Sequence, residues 1–135
     1  MKIKDHWIEY AIQTIKDVEI ANDKGIYPSE YKRYFSAFGA SVIQSGLLAA
    51  VVFYEESEGS EDKNKLLKGI ATMLNKLGNY HFDAKTKHFF SQLVRNHYQN
   101  REKMEKLLND VHHAAVALKL ALRTYQSDNN KEVSL

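Results

Sequence analysis

Apolar residues recur at intervals of three and four along nearly the whole chain, the period of an α-helix, and few β-branched runs interrupt them. The first stripe is Trp7, Ile8, Ala11, Ile12, Ile15 and Val18, preceded by Asp5 as a natural N-cap and closed by Asn22-Asp23-Lys24-Gly25. The one proline, Pro28, stands where a second helix should begin, with Ser29 and Glu30 in its first turn. That helix is expected to run unbroken to about Glu56, before Ser57-Glu58-Gly59-Ser60. A third opens with Ser60 as cap and Glu61-Asp62 against the positive end of the helix dipole, carries Leu66, Leu67, Ile70, Met73, Leu74 and Leu77, and closes at Gly78. Asn79 to Phe82 reads as a loop, and Asp83 as the cap of a short helix bearing Phe89, Phe90, Leu93 and Val94. After a break near Asn100, a last long helix holds Met104, Leu107, Val111, Ala114, Leu118 and Leu122. The pattern predicts an all-α, single-domain bundle of about five helices around a central apolar helix, spanning 1–126, with a polar, frayed tail over 127–135.

The central helix is the segment Tyr34 to Tyr54, 21 residues without a charge. It is long enough for a membrane span. Its first half, however, is amphipathic: Tyr31, Phe35, Phe38, Val42 and Gly46 share one stripe, whereas Ser36, Ser41, Gln44 and Ser45 interrupt the rest, an order that lipid does not require. Its second half, from Gly46, is apolar all round and reads as the buried axis of the bundle. The small residues Ala37, Gly39, Ala40, Ser41 and Gly46 predict that neighbouring helices approach closely. Flanked by Lys32 and Arg33, the same small-residue face is also expected to admit a nucleic-acid backbone or another subunit.

Composition narrows the function. There is no cysteine, hence no disulfide and no thiolate metal site, which fits a reducing cytoplasm. The net charge of +2 hides an asymmetry: residues 1–60 hold 6 Lys/Arg against 9 Asp/Glu, and 61–135 hold 13 against 8. Residues 63–103 alone hold 9 basic against 2 acidic residues, a polyanion footprint. On a helical wheel of the third helix, Lys65, Lys68, Thr72 and Lys76 gather opposite the apolar face. On the last helix, Lys119 and Arg123 share an outer flank with His112, while Val116 and Leu120 stand apolar between polar positions and are candidate subunit contacts. The basic residues imply salt-dependent contact with phosphates, without base readout.

Tyr31, Tyr34 and Phe35, then Ile43, Ser45-Gly46-Leu47 and Phe53-Tyr54, followed by an acidic turn, resemble the small all-helical subunit of the Cmr-type (type III-B) CRISPR effector complex. Length and helix order are similar over the whole chain, and so is Ala117-Leu118 within the last apolar stripe. The chain departs from that family's pattern in having Ser45 rather than Asn before the Gly-Leu pair, no proline after Pro28, and its one tryptophan at Trp7. The resemblance implies a non-catalytic, cytoplasmic antiviral subunit. It would stack with copies of itself and other Cmr subunits in a minor filament beside the crRNA and target RNA, contacting their backbones, with no membrane association and no cofactor.

Catalytic constellations are missing. The Glu-x-x-His pairs of a di-iron bundle do not occur. Asp110 and His113, one helical turn apart with His112 nearby, are too few for a stable metal site. The Arg-x4-His motif of HEPN-type helical ribonucleases is absent, since Arg33, Arg95, Arg101 and Arg123 are followed at that spacing by Phe38, Asn100, Lys106 and Asp128. Nucleophile elbows and phosphate-binding glycine loops are missing too. His81, His88 and His97, in or beside the basic segment, are candidate phosphate contacts. The competing reading is a helical protein-interaction module without a nucleic-acid role.

Overall fold

The computed structural model describes residues 4–56, 61–77, 80–82 and 88–128, and six α-helices account for most of them. Helix α1, Asp5–Asp17, begins at its expected cap rather than after it: Lys4 holds the cap position, and Asp5 lies in the first turn against the positive dipole end. It ends well before Gly25. Glu19 adopts a left-handed backbone with φ of 62°, its N–H bonds the Lys16 carbonyl, and the Ile20 N–H bonds the Ile15 carbonyl. These two bonds are a Schellman stop, which a left-handed residue makes at the end of a helix and for which glycine is the usual choice. Burial of both Ile15 and Ile20 holds Glu19 in place.

After a short strand, β1, at Ile26–Tyr27, the charge-free segment forms two helices rather than one: α2, Glu30–Ser45, and α3, Leu47–Glu55. The break is Gly46, at φ 91° and ψ 162°, a conformation open to glycine and essentially closed to other residues. Hence six α-helices stand among the described residues where about five helices are expected. The stripe expected on α2 holds, with Tyr31, Phe35 and Phe38 buried and Val42 partly so. On α3 Leu47, Ala50, Val51 and Tyr54 are buried, but Val52 and Phe53 are exposed, so one side of the expected buried axis faces outward. A uniformly apolar helix carries no sequence signal for which side its neighbours leave open.

The close-packing role expected of the small residues is not met. Ala37 and Ala40 are exposed, and a Cβ added at Gly39 or Gly46 would meet nothing within 4 Å. The close approach occurs instead at Gly69, where a Cβ would lie 3.5 Å from Leu118 Cδ1 and 3.7 Å from Ile20 Cδ1. Gly69 belongs to α4, Glu61–Leu77, whose Leu66, Leu67, Ile70, Met73 and Leu74 are fully buried. Side chains of this size each contribute about 1.5–3 kcal/mol on burial.

Helix α5, Phe89–His97, and helix α6, Arg101–Ala121, complete the bundle. The expected break at Asn100 is a cap, since its side chain accepts the Lys103 N–H at 3.1 Å. Helix α6 packs on α1, α4, α2 and α5, while α3 lies against α2, α4 and α5. The expected caps Ser60 and Asp83, and Gly78 and Asn79, lie outside the described residues. Past α6 a 3-10 turn, Leu122–Thr124, leads into a second strand, β2, at Gln126–Ser127, which pairs in parallel with β1. Asp128 then accepts the Ser29 N–H at 3.0 Å, at the start of α2. Ser127 and Asp128, expected in the frayed tail, are therefore tied to the body. No helix among the described residues is long and apolar enough to cross a membrane.

Candidate nucleic-acid and subunit-contact surfaces

Lys32 and Arg33 are exposed in the first turn of α2. The Arg33 guanidinium lies 5.6 Å from the centre of the Tyr34 ring, and the Lys63 ammonium of α4 reaches the same ring at 5.7 Å. Lys63 is also 5.2 Å from the Phe53 ring and 5.7 Å from the Tyr54 ring. Cation–π attraction to three rings positions its charge. The fold thus joins the starts of α2 and α4 in one cationic corner. Sequence reasoning places Lys63 only within the basic segment, because its ring partners lie on other helices and no local spacing reports them.

Lys65 and Lys68 come together on α4 beside a depression shared with Asp17, Glu19 and Asn75. Lys65 is half-buried and donates to the Glu19 carbonyl at 3.3 Å, and the two acidic residues temper the positive field there. Thr72, expected on the same stripe, turns its hydroxyl back to the Lys68 carbonyl at 2.8 Å. The Lys76 ammonium stands 5.0 Å from the Tyr10 ring of α1. Lys119 and Arg123 are exposed, on α6 and the 3-10 turn that follows. The charged ends of Lys32, Lys68, Lys119 and Arg123 have no hydrogen bond or ion pair among the described residues. A phosphate would take no internal partner from them. The expected basic residues therefore fall into three groups, on α2, α4 and α6.

Val116 and Leu120 are half-buried on α6. The large apolar side chains that stand furthest open are Ile43, Val52, Phe53, Tyr98 and Leu108, with Tyr10 on the α1 side. The first five line two adjoining depressions along α2, α3 and α6. A sequence signal for this surface exists at Ile43, an aliphatic residue about 100° round the helix from the partly buried Val42.

Of the histidines, His88, His97 and His113 are engaged within the fold, as is Asp110, whereas His81 and His112 are exposed. His88 Nδ1 is 3.4 Å from Glu56 Oε1 and 3.8 Å from Glu55 Oε1. His97 Nδ1 is 2.8 Å from the Leu93 carbonyl oxygen. His113 packs against Trp7, with ring centres 5.8 Å apart. Asp110 accepts the Tyr80 hydroxyl at 2.8 Å and pairs with Lys106 at 3.4 Å. Burial, and then the hydrogen bond to Asp110, push the Tyr80 phenol well above its ordinary pKa. Tyr31 is raised in the same way, by burial and by its bond to Asp62 at 3.0 Å. Both phenols stay protonated and act as donors joining helices. Among the described residues no three His, Asp or Glu gather as a metal site.

No curated protein and no solved structure matches the chain. The family described as CRISPR-associated protein (Cas_Cmr5) does match it, over residues 3–118, from the start of α1 through most of α6. A match that takes in the helical body from end to end shows membership, and the chain belongs to this Cmr-type CRISPR-associated small-subunit family.

Proposed function

We propose that this chain is a non-catalytic small subunit of a type III-B (Cmr) RNA-guided effector complex in antiviral defence. In this reading it stacks with copies of itself in the minor filament beside the crRNA and target RNA, in the cytoplasm. The observation that carries the reading is the family match over residues 3–118. The surfaces support it. The charged ends of Lys32, Lys68 and Lys119, exposed on α2, α4 and α6 and without a hydrogen bond or ion pair among the described residues, suit contact with a phosphate backbone, whose affinity comes from charge and not from base edges. The engaged states of His88, His97 and Asp110 are consistent with a structural role.

The test is purification of the chain from its own cell, where it should emerge with other Cmr subunits and crRNA. Lys65→Glu, Lys68→Glu and Lys76→Glu together should weaken RNA retention and flatten its dependence on salt, by roughly 0.7–0.9 in the log–log slope for each phosphate no longer neutralised. Purification without CRISPR proteins or crRNA, with RNA retention unchanged in the triple variant, would overturn the reading. The exposed apolar side chains of α2, α3 and α6 favour a second reading, a helical protein-interaction module with no RNA contact. That module would keep its protein partner in the triple variant and carry no RNA at all.

A further inference from the structure

Among the described residues, five of the six most open large apolar side chains share one region. Ile43 is 81% exposed, Phe53 and Tyr98 are each 61% exposed, and Val52 and Leu108 accompany them. Phe53, Val52 and Tyr98 line a depression of about 960 Å³ between α3 and the start of α6. Ile43 and Leu108 line a second, of about 500 Å³, between α2 and α6. The two adjoin, because Met104 lines the first and the next residue, Glu105, lines the second. Together they follow α6 from Met104 to Ala115, about 17 Å at about 1.5 Å per residue, or three helical turns. Gly39 lines the trough with open space above it, so another backbone has room to come close there.

The trough's charge selects its occupant. Among the described residues its charged lining residues are the carboxylates Glu56 and Glu105, no lysine or arginine lines it, and His112 is its one histidine; a cation stands beside its apolar wall, the Lys63 ammonium, 5.2 Å from the Phe53 ring. Glu56 is 51% and Glu105 70% exposed, with His88 and Arg101 respectively at 3.4 Å and 3.5 Å, so both can take a further cation. A nucleic-acid backbone is disfavoured, since its phosphates would face carboxylates. A second copy of this chain is disfavoured as well. Among the described residues no other face carries a row of exposed apolar side chains, only Tyr10 beneath the Lys76 ammonium. Trough against trough would set Glu56 and Glu105 of one copy against those of the other. An extended strand would leave its backbone polar groups unpaired against an apolar wall, whereas a helix satisfies its own.

We propose that this trough receives an amphipathic helix of a different protein, about three turns long. That helix presents aliphatic residues at i, i+3/i+4 and i+7 to Ile43, Phe53 and Leu108, and sets Lys or Arg against Glu56 and Glu105. The assignment rests on the proposed function only for the source of the helix, another subunit of the same assembly.

The test places a photo-crosslinking benzoylphenylalanine at position 43 or 108, with position 37 on the far side of α2 as control, in the full chain expressed in its own cell. Crosslinked peptides are then mapped by mass spectrometry in the isolated assembly. Positions 43 and 108 should both join one helical segment of a different subunit that carries basic flanking residues, and position 37 should not. Ile43→Asp, and Glu56→Lys with Glu105→Lys, should lower the share of this chain in the assembly about tenfold or more. All three sites are exposed, and an unchanged helical circular dichroism spectrum shows that the variants fold. Crosslinks to a second copy, to RNA, or to nothing while the chain remains in the assembly would overturn the inference and leave the proposed function standing. Absence of the chain from any Cmr assembly would overturn the proposed function. The trough would then stand or fall on whether the two positions crosslink a basic-flanked helix of another protein in the cell.

Discussion

At the scale of single residues, the most consequential polar group is Glu55. Its side chain is wholly buried at the end of α3, where Oε2 accepts the Phe90 and Ser91 N–H groups at 3.0 and 3.1 Å. A carboxylate from another helix thus caps α5, satisfying two of the orphan donors at its start and facing the positive end of its dipole. The other oxygen, Oε1, has no hydrogen-bond partner among the described residues, with His88 Nδ1 3.8 Å away. Glu55→Ala should lower stability by about 2–3 kcal/mol, read from urea unfolding, because two buried N–H groups lose a charged acceptor. Glu55→Gln, which keeps an acceptor oxygen, should cost less. Equal costs for the two variants would show that a neutral amide oxygen of the same size does not replace the carboxylate. Sequence alone shows an acidic turn here and no hint of the cap, because Glu55 and Phe90 are 35 residues apart and nothing local joins them.

At the scale of elements, Gly46 decides the course of the apolar segment. The α2 ladder ends with the Gly46 N–H bonded to the Val42 carbonyl at 3.0 Å, and α3 begins with the Ala50 N–H bonded to the Gly46 carbonyl at 3.1 Å. One residue serves both ends and turns the chain between them. Gly46→Ala meets no neighbour, since its Cβ would point into open space, so its penalty is the backbone conformation alone. We expect a loss of about 1–3 kcal/mol in chemical denaturation, or the fusion of α2 and α3 into one straight helix, visible as altered amide-exchange protection across 43–49. Unchanged stability and protection would show that the break does not depend on glycine. The glycine itself is visible in the sequence. Yet a single glycine is tolerated within many helices, so only the packing of α3 against α4 and α5 reveals this one as a break.

At the scale of the whole molecule, four tyrosine hydroxyls tie distant elements together: Tyr31 to Asp62, Tyr80 to Asp110, Tyr54 to the Tyr34 carbonyl at 2.9 Å, and Tyr125 to the Ile12 carbonyl at 2.6 Å. Burial raises all four pKa values, and the adjacent carboxylates raise Tyr31 and Tyr80 further. A phenol whose pKa is higher folded than unfolded favours the folded, protonated state. That stabilisation is complete below the ordinary phenol value of about 10 and is lost as pH rises beyond it. Urea midpoints should therefore fall above about pH 10. Tyr31→Phe with Tyr80→Phe should start less stable at neutral pH, with Asp62 and Asp110 losing donors, and fall less steeply in alkali. An equally steep fall in that variant would place the alkaline sensitivity in other groups, lysines first.

The all-α class, the approximate positions of the helices, the stripe Tyr31, Phe35 and Phe38, the break near Asn100 and the family resemblance were legible in the amino-acid order, because each rests on local period, helix-ending residues or motif. The stop at Glu19, the open side of α3, the close approach at Gly69 and the Glu55 cap were decided by tertiary structure. Each depends on what a distant segment places beside the residue, and hydropathy ranks side chains without saying which of them a neighbour covers. The candidate surfaces divide along the same line. Lysine spacing places Lys65, Lys68 and Lys76 on one helical face, whereas only the fold sets Lys63 among three rings and Ile43, Phe53 and Leu108 along one trough.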